Sequence, residues 1–292
     1  MQALKNEQRT KYYFILPAFL FVAIMVIIPV LYTFFLSFTK WSMAGKPDII
    51  WFDNYLTMFA DSRFLKATYR TLLFSAAALL FEVVLGTGIA LFLNRDFIGK
   101  PLVKTFFLLP MVATPVSIGL VWMLIYEPTF GIANTLLGYL GFEHLPLWLG
   151  SPDTALLALV IMDIWQWTPM ISLIVMAGLA ALPTEPIESA HVDGAKAYQI
   201  LFRVTLPMIT PTVVVASLLR LIDALKTFDI IYATTQGGPT FSSETLNVLA
   251  FINAFQYFDL GYASAMLVVF FLLVLVLSLL VGRLRDRVRI DF

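Results

Sequence analysis

Long, nearly uncharged apolar runs separated by short polar stretches dominate the chain. Tyr12–Phe38 holds no charged residue, and Thr71–Leu93 holds only Glu82. Thr105–Tyr126 follows, then Thr154–Leu182, interrupted by Asp163 alone. Leu206 to about Thr227 is a weaker run crossed by Arg220, Asp223 and Lys226, and Tyr262–Gly282 closes the series. A helix needs ~20 largely apolar residues to cross ~30 Å of hydrocarbon. The pattern therefore predicts an all-α polytopic membrane protein: six transmembrane helices at 12–38, 71–93, 105–126, 154–182, 206–227 and 262–282 in one domain over 1–292. An even number of spans puts both termini on one side.

Composition sharpens the class. Of 292 residues 60% are apolar and only 13% are charged, about half the ~25% of soluble domains. Mean hydropathy is +0.87. Too few polar side chains exist to cover a soluble globule, which excludes soluble enzymes, nucleic-acid binders and disordered chains. The 19 basic and 19 acidic residues cancel, so no net field favours a nucleic acid. With no Cys in the chain, disulfides, thiolate metal sites and Cys nucleophiles are excluded.

Placement of the basic residues predicts orientation. With the N-terminus inside, twelve lie on internal segments: Lys5, Arg9, Lys11, Arg95, Lys100, Lys104, Lys196, Arg203, Arg283, Arg285, Arg287 and Arg289. Five lie outside: Lys40, Lys46, Arg63, Lys66 and Arg70. Basic excess marks the cytoplasmic face, so both termini are expected in the cytoplasm and the protein in the cell (inner, cytoplasmic) membrane. The first apolar run exceeds the ~7–15-residue core of a secretory signal. An uncleaved first span is expected.

Between the spans, Asp53–Tyr69 has aromatics at near-helical spacing and predicts one or two short helices lying in the interface. They would either plug the bundle or read a sugar or partner. Gln236-Gly237-Gly238-Pro239 predicts a sharp turn. Pro110, Pro115 and Pro169 predict kinks or freed carbonyls, and Trp51 and Trp148 read as interface anchors.

Enzymatic chemistry is not encoded. No GxxxxGK[ST] phosphate loop and no H-E-x-x-H occur. The two histidines, His144 and His191, fall on opposite predicted faces of the membrane, so neither a His-based metal site nor a Ser-His-Asp triad can assemble.

The most informative stretch is the predicted cytoplasmic loop 183–207. Thr184 is placed to N-cap a helix, Pro186 suits its first turn, and Glu185 and Glu188 complement the positive helix end. Asp193-Gly194 breaks that helix, and a second segment, Ala195–Phe202, is expected to run until Pro207 ends it. Small residues at Ser189, Ala190, Gly194 and Ala195 would let a partner approach closely. From the residues alone, a docking element and an ordinary amphipathic loop both stay open.

This loop resembles the EAA loop of the membrane permeases of ABC importers, whose pattern is EAA, three residues, G, nine residues, I-x-L-P. Glu188-Ser189-Ala190, Gly194 and Val204-Thr205-Leu206-Pro207 stand at that spacing, with Ser189 and Val204 as mild departures. The wording DGAKAYQILFRVTLPM and TTQGGPTFSSETL (234–246), with FDNYLTMF (52–59) and LLPMVATPVSIGLVW (108–122), is similar to the carbohydrate-uptake, maltose-permease-like branch. The resemblance implies a type I importer permease fold and a non-catalytic subunit moving a mono- or oligosaccharide or a sugar derivative. Implied partners are a second homologous permease, two ATP-binding cassette ATPases and an extracytoplasmic solute-binding protein. ATP and Mg would be bound by the ATPases, leaving no cofactor in this chain. The coupling residues it implies are Glu188, Ser189, Ala190, Asp193 and Gly194.

Charges inside spans cost ~2.5–3.5 kcal/mol or more at mid-bilayer, so they should face a cavity or a partner. Helical spacing puts Asp163, Gln166, Trp167 and Met170 on one face of the fourth span, and Arg220, Asp223 and Thr227 on one face of the fifth. Carboxylate, amide and Trp suit a sugar: polar groups take hydroxyls while the ring covers the C–H side. The resemblance likewise implies substrate contacts at positions matching Asp163, Gln166, Trp167, Met170 and Arg220. Two other readings stay open: Asp163 and Arg220 pairing with each other or with Asp223 merely to neutralise charge, and snorkelling at helix ends. Arg220 also admits an anionic sugar derivative, and Glu82 reads as a partner of another span or subunit. The alternative of another class is an ion-coupled secondary transporter using Asp163, Arg220 and Asp223 as a proton relay.

Overall fold

The structure, a computed structural model, describes residues 2–42 and 45–288. Of the basic residues counted for orientation, Arg289 lies outside the described residues, as do the side chains of Lys5, Arg9, Lys11, Arg285 and Arg287. The elements are almost all helical: α1 (Gln2–Leu36), β1 (Thr39–Lys40), β2 (Asp48–Ile49), α2 (Asp53–Ala60), α3 (Ser62–Leu93), α4 (Lys100–Val112), α5 (Pro115–Ile125) and α6 (Ile132–Tyr139). There follow α7 (Ala155–Ala180), α8 (Glu185–Val192), α9 (Ala197–Ile200), a π-helical turn (Leu201–Thr205), α10 (Leu206–Leu225), α11 (Asp229–Thr234), α12 (Leu246–Phe255) and α13 (Leu260–Val288). Among the described residues five helical stretches are long and apolar enough to cross a membrane, and the bent pair α4–α5 makes a sixth. The expected all-α polytopic architecture is what the chain adopts.

Two compact units are present. One comprises the chain up to 62 together with 250–271. There α1 is exposed along nearly all of its apolar stretch from Phe14, only Leu36 at its end being buried, a surface matched to hydrocarbon. Beyond it β1 and β2 pair antiparallel, with Thr39 opposite Ile49. Buried Asn54 of α2 donates from Nδ2 to the carbonyls of Ser37 and Thr39, both at 2.9 Å. The start of α13 presses on the same strand: a Cβ on Gly261 would lie 2.0 Å from the Thr39 carbonyl oxygen, so only glycine fits there.

The second unit comprises 63–249 and the chain after 271. Its core joins α3, α7 and α10 through Ala90, Ile171, Val175, Leu179, Ile209 and Ala216. A Cβ at Gly86 would stand 2.7 Å from Ile171, and Ser172 Oγ donates to the Gly86 carbonyl at 2.8 Å. Small residues bring helix backbones together where lipid offers no hydrophobic drive. On the loop before α12, Glu244 is fully buried and Arg63 forks it at 2.9 and 2.7 Å.

The stretch Asp53–Tyr69 holds one short helix, α2, because Asp61 turns to extended backbone (ψ 115°) and residues from Ser62 already form the first turns of α3. Three expectations need correction. The third span is broken rather than kinked, since α4 and α5 meet at 103°. Pro115 forces its predecessor out of the helical region, and Ala113 and Thr114 take ψ of 148° and 143°. Pro110 sits inside α4 without ending it. Nor does Pro207 end a helix. It occupies the first turn of α10, and Leu206 N–H reaches back to the Leu201 carbonyl in the π turn just before it. That wider turn accommodates the missing proline N–H. Finally, Thr184 stands at the N-cap of α8 but makes no side-chain capping bond. The turn at 236–239 forms as expected, with Gln236 and Gly237 both at positive φ.

Candidate functional site

Three spanning helices each bring one buried charge to a common point. Arg220 of α10 donates from Nε and Nη2 to the two oxygens of Glu82 on α3, at 2.7 and 3.0 Å. The same Nη2 donates to Asp163 Oδ2 on α7. All three side chains are 0–1% exposed. A lone ion could not be held there, because the desolvation cost is several kcal/mol per charge unless partners answer it. The close α3–α7 contact at Gly86 sits one helical turn from Glu82 and fixes the registry of the two carboxylates.

Around this triad the expected face of α7 assembles. Gln166, 1% exposed, donates from Nε2 to the Ala113 carbonyl at 3.4 Å. That carbonyl belongs to the break in the third span, where no helical donor follows. The Arg220 guanidinium carbon lies 5.4 Å from the Trp167 ring centroid, within cation–π range. Asp163, Gln166, Trp167, Arg220, Asp223 and Thr227 line one cavity of ≈ 260 Å³ with Pro115, Lys226, Phe228, Asp229 and Ile230. Asp163 Oδ1 and Gln166 Oε1 are buried there with no hydrogen-bond partner.

Six of the seven predicted solute-contacting residues are thus brought together. Met170, one turn further along α7, is not among the cavity lining. Asp223 does not serve as the hydrogen-bonding partner of Arg220; it pairs with Lys226 at 3.3 Å, both half exposed. Glu82 takes that place, as a partner from another span. Charge bookkeeping is the sequence signal for it: Arg220 is the one arginine within the predicted spans, and Glu82 is the sole charge of its own.

The elbow at 185–196 is built differently. Pro186 starts α8 and Glu185 and Glu188 stand in its first turn. At its end Gly194 takes φ +77°, Gly194 N–H bonds the His191 carbonyl and Ala195 N–H the Ala190 carbonyl, both at 3.0 Å. This is the Schellman closure, which calls for a left-handed residue that glycine supplies without strain. Lys196 N–H then donates to Gln199 Oε1 at 2.7 Å to open α9. Glu188, Ser189, Asp193 and Gly194 are exposed and Ala190 is half-buried. A Cβ on Gly194 would meet nothing within 4 Å. Among the described residues no group of three or more His, Cys, Asp or Glu is placed to hold a metal ion.

The model of the binding-protein-dependent transport system inner membrane component family matches residues 82–290, from Glu82 of the triad through the elbow and beyond. The chain belongs to that family. It is 37% identical over 219 residues, 74% of this chain and 70% of the relative, to the probable ABC transporter permease protein y4oQ of Sinorhizobium fredii. It is 35% identical over 222 residues, 76% of this chain and 75% of the relative, to the trehalose/maltose transport system permease protein MalF of Thermococcus litoralis. With the trehalose transport system permease protein SugA of Mycobacterium tuberculosis it shares 34% over 222 residues, 75% and 71% of the two chains. Among solved structures, a bacterial ABC transporter involved in the import of the acidic polysaccharide alginate superposes with TM-score 0.84. That match covers 98% of this chain and 99% of the other at 24% identity. The chain's resemblance to ABC importer permeases is borne out, and this family member is a multi-pass membrane protein.

Proposed function

We propose that the chain is the permease subunit of an ATP-driven, binding-protein-dependent importer of a mono- or oligosaccharide or sugar derivative. The observation that carries this is the cavity among α5, α7, α10 and α11, where carboxylate, amide, guanidinium and indole converge on one space. Such a set supplies hydroxyl acceptors and donors together with an aromatic face. The names of the trehalose and maltose relatives support the saccharide class. At ≈ 260 Å³ the cavity falls below the ~300–1,000 Å³ of typical small-molecule sites, which fits one half of a path completed by a second, homologous permease.

Both termini face the cytoplasm in this reading, by the basic-residue asymmetry, and the elbow does too. Two ATPase subunits bind ATP and Mg, and one of them docks on Glu188, Ser189, Ala190, Asp193 and Gly194. The exposed, small-residue end of α8 offers close approach, and the unbroken run of α9, the π turn and α10 from Ala197 to Leu225 links that end to Arg220 and the cavity. Closure of the ATPase dimer would then rock the spans as rigid bodies. A solute-binding protein delivers saccharide from outside, and no nucleic acid takes part.

The test is reconstitution of the native complex in liposomes with labelled saccharide. Uptake that requires ATP and the binding protein supports the proposal. Uptake that survives without ATP and collapses with the proton gradient would favour the ion-coupled alternative, in which Asp163, Arg220 and Asp223 relay protons.

A further inference from the structure

Guanidinium in a solute cavity ordinarily suggests an anionic ligand. The surroundings of Arg220 point the other way. Its Nε and Nη2 are spent on two buried carboxyl groups, Glu82 and Asp163, so the triad sets two acidic side chains against one guanidinium. Around the cavity three carboxylates (Asp163, Asp223, Asp229) face two cations (Arg220, Lys226), and Glu82 behind Arg220 adds a fourth carboxylate. The fully buried polar atoms of this lining that lack a partner are both acceptors: Asp163 Oδ1 and Gln166 Oε1. The amide nitrogen of Gln166 gives one of its two hydrogens to the Ala113 carbonyl.

We infer that the cavity selects uncharged saccharides that donate hydroxyls to Asp163 Oδ1 and Gln166 Oε1, that it rejects saccharides bearing carboxylate or sulfonate, and that Glu82 sets this selectivity by occupying Arg220. This rests on the saccharide-permease reading and narrows it. Glu82 touches no cavity space, since it is absent from the lining. It is therefore a positioning residue that acts through Arg220. Its removal leaves Arg220 with Asp163 alone and makes Nε and half of the fork available to an anion.

The experiment is equilibrium binding to the purified complex in lipid nanodiscs, without binding protein so that only the permease site is read. The probes are trehalose, maltose and glucose, each alongside its C6 uronate. For wild type we expect at least one neutral sugar to bind and its uronate to bind at least about tenfold more weakly, since like charges set side by side in a site cost several kcal/mol. Glu82→Gln, which keeps shape and one hydrogen bond to Arg220, should narrow that gap to within about threefold by strengthening uronate binding. Asp163→Asn should weaken the neutral sugars while the preference over uronates shrinks. A uronate bound by wild type as well as its neutral parent overturns the inference and leaves the saccharide reading standing. An unchanged gap in folded Glu82→Gln removes Glu82 from the account. Should none of the six probes bind, the saccharide reading itself falls.

Discussion

The triad and the elbow are the two regions where polar residues depart from the surrounding apolar pattern, and they do so in opposite ways. At Glu82, Arg220 and Asp163 every charge is enclosed and answered by a neighbour on another helix. At Glu188, Asp193 and Gly194 the side chains stand in the open, and Gly194 has no neighbour to within 4 Å of a Cβ. One region is complete except for two acceptor atoms. The other is complete only as backbone, closed by its own carbonyls, with its side chains left for something else to cover. A site for a small polar solute shows itself by unmet acceptors in an enclosed space. A docking site for a protein shows itself by an ordered, uncovered surface.

That contrast can be broken most severely at Arg220. Arg220→Ala leaves two buried carboxylates facing each other, and removing one partner of a buried pair costs ~3–5 kcal/mol. We expect a large fall in the thermal midpoint of the purified complex and loss of transport. An unchanged midpoint would mean that the triad is not closed as described.

At the elbow the same scale of functional effect should come with no loss of stability. Ala190→Trp places bulk where α8 must be approached, and blocking a contact of hot-spot worth removes ~2 kcal/mol or more of docking energy, about thirtyfold in ATPase affinity. Binding-protein-stimulated ATP hydrolysis should drop accordingly, while the thermal midpoint shifts by the equivalent of no more than ~0.5 kcal/mol, as for other surface changes. Position 190 serves better than 194, where the φ of +77° would strain any side chain and confuse docking with folding.

Smaller effects follow within the cavity. Trp167→Ala removes the aromatic face, and with ~0.5–1.5 kcal/mol at stake for such contacts the concentration of saccharide for half-maximal uptake should rise up to about tenfold. Asp223→Asn should do least. Its pair with Lys226 is half exposed, such pairs contribute ~0–1 kcal/mol, and uptake measured on the same vesicles should change by no more than about fivefold.

The spans were legible because hydrocarbon leaves little choice: uncharged runs such as Tyr12–Phe38 and Tyr262–Gly282 can be read without knowing any neighbour. The elbow was legible for a related reason, since Pro186, Glu188 and Gly194 act locally, through capping and backbone conformation. Helical spacing also placed Asp163, Gln166 and Trp167 on one face, but it carried the face one turn too far, to Met170. Periodicity fixes direction around a helix, whereas the extent of a cavity depends on what packs above it, here α5, α10 and α11. The pairing of Glu82 with Arg220 spans 138 residues of sequence and depends on the close approach at Gly86, which no local pattern announces. The Arg63–Glu244 fork, 181 residues apart, was hidden in the same way. Pro115 announced a disturbance in the third span but not a turn of 103°. Pro207 misled because a π turn can absorb a proline that an α-helix cannot.

The division of labour between these regions is tested most directly by counting saccharide molecules taken up per ATP hydrolysed in liposomes, for wild type, Trp167→Ala and Ala190→Trp side by side at subsaturating saccharide. The account predicts that Trp167→Ala lowers the ratio while hydrolysis continues, and that Ala190→Trp lowers hydrolysis itself. A ratio and an uptake left unchanged by Trp167→Ala, or full stimulated hydrolysis by Ala190→Trp, would contradict it.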